Sequence, residues 1–183
     1  MNRTSLRICA QISALATAAV IAGSAFAITK EEYRAGKDRI ATEYKAAKGK
    51  CGALSGQPKN LCAAEAKAAE RRARARADAD YENTPKAREK AVIANAEATY
   101  MVAKEQCAAK TGNDKDVCVK AAKAAETKAK ADAKAARQTS VAKADAKDTK
   151  RDVDYKVARE KCDPLTGAAK DKCVADAKAK FAN

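Results

Sequence analysis

The chain of 183 residues carries 38 Lys and Arg against 24 Asp and Glu, a formal charge of +14, and it contains no His and no Trp. Residues 28–183 hold 41 alanines but 21 larger apolar or aromatic residues, which is too little bulk to enclose a deep ligand pocket. The commonest general base and metal ligand is missing as well. The composition therefore argues against an enzyme and against a bound cofactor.

The first 27 residues have the pattern of a cleavable secretory signal peptide. Two arginines precede an apolar stretch at 8–21, and Ala25 and Ala27 satisfy the small-residue rule for cleavage after Ala27. This stretch is shorter than the roughly 20 residues of a membrane-spanning helix, which favours cleavage over an uncleaved anchor. Cys9 lies too far from the cleavage site for a lipoprotein. We expect a periplasmic or secreted chain, whose charge falls from +14 by two, to +12, when both arginines leave.

Six cysteines remain after the leader, and they reveal an internal repeat. They form three pairs with ten residues between partners, and the pairs recur after 56 and then 55 residues: Cys51 and Cys62, Cys107 and Cys118, Cys162 and Cys173. A tyrosine stands seven residues before the first cysteine of each pair: Tyr44, Tyr100 and Tyr155. These coincidences predict a triplication, with copies at 28–83, 84–138 and 139–183, the last one shortened.

An oxidising compartment and an even cysteine count favour disulfides. Six cysteines allow 15 pairings, and the repeat selects the bond within each pair, which would join two helices beside their turn. Zinc sites usually need four ligands at C-x2-4-C spacing, and redox sites a C-x-x-C motif; the chain has neither pattern. Metal binding and thiol chemistry are therefore the less favoured interpretations.

Each copy is predicted to fold as helix, turn, helix, because Ala, Lys, Glu and Arg are strong helix formers. Starts are indicated by a capping box at Thr29, by Thr84 before Pro85, and by Thr139 with Ser140. Glycine is expected to end the helix before each linker, at Gly56, Gly112 and Gly167. The predicted helices lie near 30–51, 62–82, 86–107, 118–138, 141–161 and 173–182. Whether 62–107 and 118–161 are broken or form two long kinked helices stays open.

The predicted fold is all-α: three tandem, disulfide-stapled antiparallel hairpins of about 55 residues, elongated, with a coiled-coil-like seam. In this seam the tyrosines (Tyr44, Tyr100 and Tyr155) pack against small residues of the returning helix. Tyr44 is expected near Ala69, and Tyr100 near Ala125. A row of tyrosines that stacks on a ligand is the less favoured alternative.

The densest positive cluster is Arg71, Arg72, Arg74 and Arg76, interleaved with alanine. It is typical of a solvated helical face with ion pairs such as Glu70 with Arg74, or else of an anion-binding site. The signal peptide favours envelope anions over nucleic acid: lipopolysaccharide phosphates, anionic lipid headgroups or wall polymers. No helix has the broad face of large apolar residues that membrane insertion needs.

The Ala-, Lys-, Glu- and Asp-rich stretches at 62–106 and 118–160, such as the segment at 121–137, resemble the long helical region of TolA-like cell-envelope proteins. The resemblance lies in composition, and it implies a role in the envelope without implying any functional residue. TolA-like proteins also have an N-terminal anchor and a globular C-terminal domain, and neither is expected here.

These observations predict an exported, non-enzymatic structural or interaction protein of the bacterial cell envelope, which presents basic helical surfaces to a protein or wall partner. The alternative is a periplasmic protein that binds or protects polyanions electrostatically. Binding that weakens steeply with salt would favour the alternative. The sequence leaves the oligomeric state open.

Overall fold

The computed structural model describes residues 28–181, and the predicted signal peptide at 1–27 lies outside the described residues. The described part consists of five α-helices and a single 3₁₀ turn at Cys51–Ala53, without a strand. The helices are α1 (Lys30–Lys50), α2 (Gly56–Glu82), α3 (Pro85–Cys107), α4 (Gly112–Glu160) and α5 (Gly167–Phe181). The predicted all-α class is confirmed.

The helices form a row in which, within residues 28–181, each helix packs only against those adjacent to it in the chain. The closing disulfides join α1 to α2, α3 to the start of α4, and the end of α4 to α5. The Gln57 side-chain amide donates a hydrogen bond of 2.9 Å to the carbonyl of Glu105, which sets the first two closed ends side by side. The three predicted stapled hairpins are confirmed.

The returning helices begin six residues earlier than predicted. Gly56, Gly112 and Gly167 are the first residues of α2, α4 and α5, whereas they were expected to end the preceding helices. All three have positive φ, between +52° and +61°, which glycine adopts readily, so the chain turns sharply and enters the next helix at once. Pro58 falls in the first turn of α2, where no backbone N–H is needed.

The chain reverses direction between α2 and α3 at Asn83 and Thr84. Asn83 has a left-handed backbone with φ 46°, and its N–H donates to the Ala79 carbonyl to close α2. The Thr84 hydroxyl accepts a hydrogen bond from the Ala87 N–H, and Pro85 takes the first helical position. Asparagine tolerates the left-handed region and proline suits a first turn, so this short sequence encodes a tight reversal.

For 118–161, where a break at Thr139 and one long helix were both open, the structure has the long helix: α4 runs without interruption for 49 residues. Thr139 and Ser140 are followed by Val141, whereas Pro85 follows the first turn. Without a proline or a residue of positive φ, nothing in this stretch removes a helical hydrogen bond. The second half of α4 is therefore the first helix of the third hairpin.

Continuity of α4 sets the third hairpin apart from the other two. Cys118 near the start of α4 and Cys162 just after its end lie roughly 66 Å apart along the helix axis, at 1.5 Å per residue. The stretch at 142–150 is exposed throughout. The disulfide-closed ends of the first two hairpins therefore lie side by side. The closed end of the third hairpin lies at a distance, and the exposed stretch of α4 connects it to the other two.

Alanine makes up most of the interior. Ala68 of α2 and Ala98 of α3 are fully buried, and Ile40 is the one large aliphatic residue buried among those described. Small side chains allow the helix axes to approach closely, and each contributes little hydrophobic free energy. In the part of the chain described, no helix combines the length and the apolarity that crossing a membrane requires.

Replacing Asn83 by Ala should destabilise the protein by about 1 kcal/mol, because alanine is strained in the left-handed region. Urea unfolding followed by circular dichroism measures the change. Thr139→Ala is the matched control, since Thr139 lies within the continuous α4, and it should change stability by less than about 0.5 kcal/mol. An equal loss in both variants would show that the Asn83 backbone is not the cause.

Candidate interaction surfaces

The three disulfides are Cys51–Cys62, Cys107–Cys118 and Cys162–Cys173, as the repeat predicted. The paired Cα atoms are 5.6, 5.7 and 5.7 Å apart, and the first cysteine of each pair is buried. Each bond closes a short loop, which in the chain-entropy account contributes roughly 3 kcal/mol. The disulfides therefore stabilise hairpins that bury little apolar surface.

A unit of tyrosine, lysine and glutamate is repeated in the first two hairpins. In the first, the Lys67 Nζ lies 5.1 Å from the centre of the Tyr44 ring and 2.8 Å from the Glu70 carboxylate. In the second, the Lys123 Nζ lies 4.9 Å from the Tyr100 ring and 2.8 Å from Glu126. Each lysine covers the ring with its charge, so both tyrosines pack at the hairpin seam with a cation above them.

The third hairpin replaces this unit by an aromatic pair. Phe181 stands at the position of Glu70 and Glu126 in the repeat, and its ring centre lies 6.3 Å from that of Tyr155 in a tilted arrangement. Of the contacts expected for the tyrosines, Tyr100 and Ala125 line the same groove. The third seam thus depends on an apolar contact instead of a buried charge.

The glutamates of the repeated unit are almost completely buried, yet each is held by two cations. Glu126 contacts Lys123 and Lys130 at 2.8 and 2.7 Å, and these hydrogen bonds, the Lys123 one first, lower the pKa of its carboxyl below the usual 4.5. In the first hairpin, Lys67 and Arg74 lower the pKa of Glu70 in the same way. Sequence reasoning found the pair of Glu70 with Arg74 but missed the burial.

A third buried glutamate closes the other end of the second hairpin. Glu89 of α3 contacts Arg137 of α4 at 2.8 Å and Lys86 at 3.1 Å, and the hydrogen bond from Lys86 is the main cause that lowers its pKa. In the first hairpin the corresponding positions hold Tyr33 and Tyr81, whose rings stack with centres 4.4 Å apart. The repeat therefore uses an ion pair and an aromatic stack at the same place.

The arginine cluster predicted as an anion site lies along α2, and most of it is engaged within the fold. The Arg72 guanidinium donates to Asn95 and Thr99 of α3 at 2.9 and 3.0 Å. Its neighbours contact acidic side chains: Arg71 with Glu97, Arg74 with Glu70, and Arg76 with Asp80. Arg76 has the most exposed side chain of the four, at 85%. Anion binding by this cluster stays a prediction, with Arg76 its most accessible member.

Glu97 of α3 links three helices, and sequence reasoning missed it. Arg71 of α2 contacts one of its oxygens, and the Lys130 Nζ of α4 lies 2.7 Å from the other. The repeat places Ala41 and Asp152 at the equivalent positions, so periodicity gave no signal. This ion pair ties the first hairpin to the second.

The two adjacent closed ends, at 48–59 and 104–116, contain three acidic residues. The same two segments carry six exposed lysines. We call them the tip lysines: Lys48, Lys50, Lys59, Lys104, Lys110 and Lys115. None of the six has an ion-pair partner among residues 28–181. Lys59 and Lys115 occupy equivalent repeat positions, which is the signal by which the sequence could have revealed this basic end.

A groove of about 510 Å³ runs between α3 and the middle of α4. Its wall includes Val92, which is 49% exposed, together with Ala129 and Ala133, and the ion pair of Glu89 with Arg137 crosses it. This mostly apolar surface contrasts with the basic end of the same hairpin. The two differ in the partner chemistry that they suit.

No known protein family, curated protein or solved structure matches this chain. Within residues 28–181, no group of three or more Cys, Asp or Glu side chains could hold a metal ion.

Thermal stability should decrease as the pH falls below about 4.5, because Glu70, Glu89 and Glu126 have lowered pKa values in the folded chain. Carboxylates of this kind stabilise the fold at neutral pH, and the contribution disappears as the pH falls through their folded-state pKa. Melting temperatures recorded from neutral pH to about pH 3 measure the effect.

Glu126→Gln should lower the melting temperature at neutral pH and flatten its decrease in acid, because the titrating group is gone. Glu65→Gln is the control, since Glu65 is exposed and has no ion-pair partner in the described part of the chain. If both variants keep the wild-type pH dependence, the buried glutamates do not cause it.

Proposed function

We propose that the protein is an exported, non-enzymatic interaction protein of the bacterial cell envelope, which presents basic helical surfaces to a protein or wall partner. The observation that carries this proposal is the continuous α4, which holds the third hairpin at a fixed distance from the first two. A scaffold needs this kind of separation between two contact regions. An enzyme, by contrast, needs catalytic groups brought together.

Compartment and composition support the same role. Three disulfides fit a periplasmic or extracellular protein, and the expected signal peptide would deliver the chain there. The resemblance to the helical region of TolA-like proteins also favours the envelope. Long Ala- and Lys-rich helices suit a spacing role, because their stability depends on propensity and local ion pairs instead of a large core.

Affinity capture from an envelope fraction tests the scaffold. The chain without residues 1–27 is immobilised, and we expect one stoichiometric partner that stays bound at high salt. Val141→Pro should weaken this capture, because proline inside α4 removes a hydrogen bond and kinks the helix, and so misplaces the third hairpin. Val141→Leu is the control and should capture normally. Equal capture by both variants would contradict a role for the spacing.

The second candidate is electrostatic binding of an envelope polyanion, and the tip lysines favour it. They combine exposure, the lack of ion-pair partners in the described chain and a position on two adjacent ends. A local excess of positive charge attracts phosphate- or carboxylate-bearing polymers, and added salt screens the attraction. Such binding would tolerate several anions, whereas a protein partner would be specific.

Replacing five tip lysines by Gln (Lys48, Lys50, Lys59, Lys110 and Lys115) should weaken binding of lipopolysaccharide about tenfold at low salt, because the local charge is removed. The control removes five exposed lysines elsewhere: Lys30, Lys90, Lys147, Lys161 and Lys178. Since it keeps the tip, it should retain affinity within about threefold. Equal losses would assign binding to net charge instead of this end.

A further inference from the structure

The outer face of α4, on the side opposite α3 and α5, is exposed along the whole helix. Positions that follow alternating steps of three and four residues, and so recur after about seven or about 11 residues, lie on one helix face. Glu126 and Ala133 turn towards α3, and Tyr155 towards α5. The outer face includes Ala124, Ala131, Ala135, Ala146, Val153 and Val157, all of them exposed. Val153 and Val157 are 53% and 51% exposed.

The repeat shows what covers the equivalent faces elsewhere in the molecule. Ala124 lies 56 residues after Ala68 of α2, and Val153 lies 55 residues after Ala98 of α3. Ala68 and Ala98 are fully buried where α2 and α3 pack together. The first half of α4 therefore carries an α2-type face and the second half an α3-type face. The two would form the next helix pair of the row if the chain turned at Thr139.

The outer face of α1, at the other end of the row of helices, is not apolar in this way. Thr42 occupies the position of Ala98 and Val153 in the repeat, and Asp38 precedes it by one turn. The outer face of α1 is thus polar where that of α4 has two exposed valines. A polar face suits contact with water, whereas an apolar face suits contact with another helix.

The geometry of the α2–α3 pair predicts how the two halves of α4 would meet. Arg71 contacts Glu97 and Arg72 contacts Asn95 across antiparallel helices. Shifted by the repeat distances, these contacts place residues 127–128 opposite residues 150–152. In one chain these positions are separated by roughly 36 Å of continuous helix, so they cannot touch. Two antiparallel copies of α4 bring them together twice, about a two-fold axis near residues 139–140.

Charged residues on the two flanks of the outer face complement each other at this register, whereas the shifted Arg72–Asn95 contact itself places Lys128 opposite Lys150. At that register, Lys134 of one copy and Asp145 of the other are at the same height along the helix axes. Both residues lie on the same flank of α4, that is, on the same side of its outer face, because the 11 residues between them make close to three full turns. On the other flank, Asp132 comes within one turn of Lys143 of the second copy. In an antiparallel pair, side chains of the same flank face each other. None of these four residues has an ion-pair partner within residues 28–181.

We propose that the outer face of α4 binds the same face of a second copy of this chain, antiparallel and centred near Thr139 and Ser140. In this homodimer the third hairpin of the second copy lies beside the first half of α4, where the repeat would place the next hairpin. Each copy supplies the neighbour that the other lacks, and the contact is self-complementary.

Sedimentation equilibrium of the chain without residues 1–27, over a concentration series, measures the association. We expect a monomer–dimer equilibrium. Val153→Glu with Val157→Glu should raise the dissociation constant at least about tenfold, because it places charges in the paired face. Thr42→Glu with Ala46→Glu is the matched control, since these are the equivalent positions of α1, and it should dimerise as the wild type does.

Charge reversal tests the register independently of the valines. Lys134→Asp or Asp145→Lys alone should weaken the dimer, because like charges then face each other twice, and the double reversal should restore it. Circular dichroism checks that every variant keeps its helices. A wild-type chain that stays monomeric at all concentrations overturns the proposal. So does a dimer that neither the valine variant nor the single reversals weaken.

Discussion

Helix contacts made of alanine are the constraint on which the rest of this structure depends. Ala68 and Ala98 are fully buried where α2 meets α3, and Ile40 is the single buried large aliphatic residue in the described part of the chain. Such contacts contribute little hydrophobic free energy per residue. The disulfides offset this by reducing the conformational entropy of the unfolded chain. Their position beside the turns keeps the ends of each hairpin together, where helices otherwise fray.

The same shortage of large side chains explains why charge enters the interior. Glu70, Glu89 and Glu126 are buried, and each is contacted by two cations. A buried carboxylate is costly without partners. The cations on Glu70 and Glu126 belong to the same helix as the glutamate, whereas the pair of Glu89 with Arg137 requires one arrangement of α3 and α4. Glu97 extends that requirement from one hairpin to the next, since it contacts both α2 and α4.

The sequence predicted the hairpins and the disulfide pairing because both follow from a repeat that can be counted. It also marked Thr84 before Pro85 as a helix start, because a capping hydroxyl and a proline are visible there, but it left open whether the chain reverses at this point. It did not establish the continuity of α4, since Thr139 and Ser140 cap a helix in one context and continue it in another. The roles of Arg72 and Glu97 could not be predicted, because they depend on which faces of α2 and α3 meet.

The length of α4 determines in which direction the third hairpin extends from the helix, and so which insertions the chain can accept. Each residue of a helix turns the chain by about 100°, and the 29 residues from Glu126 to Tyr155 make close to eight full turns. For this reason α3 and α5 lie on the same side of α4. A single inserted residue in the bare stretch at 142–150 would swing the third hairpin a quarter of the way round the axis, whereas seven would advance it by about 10 Å and nearly preserve its direction. The linking helix thus sets an angle as well as a distance, so insertions close to a whole number of turns, such as about seven or about 11 residues, are those that this architecture can accept.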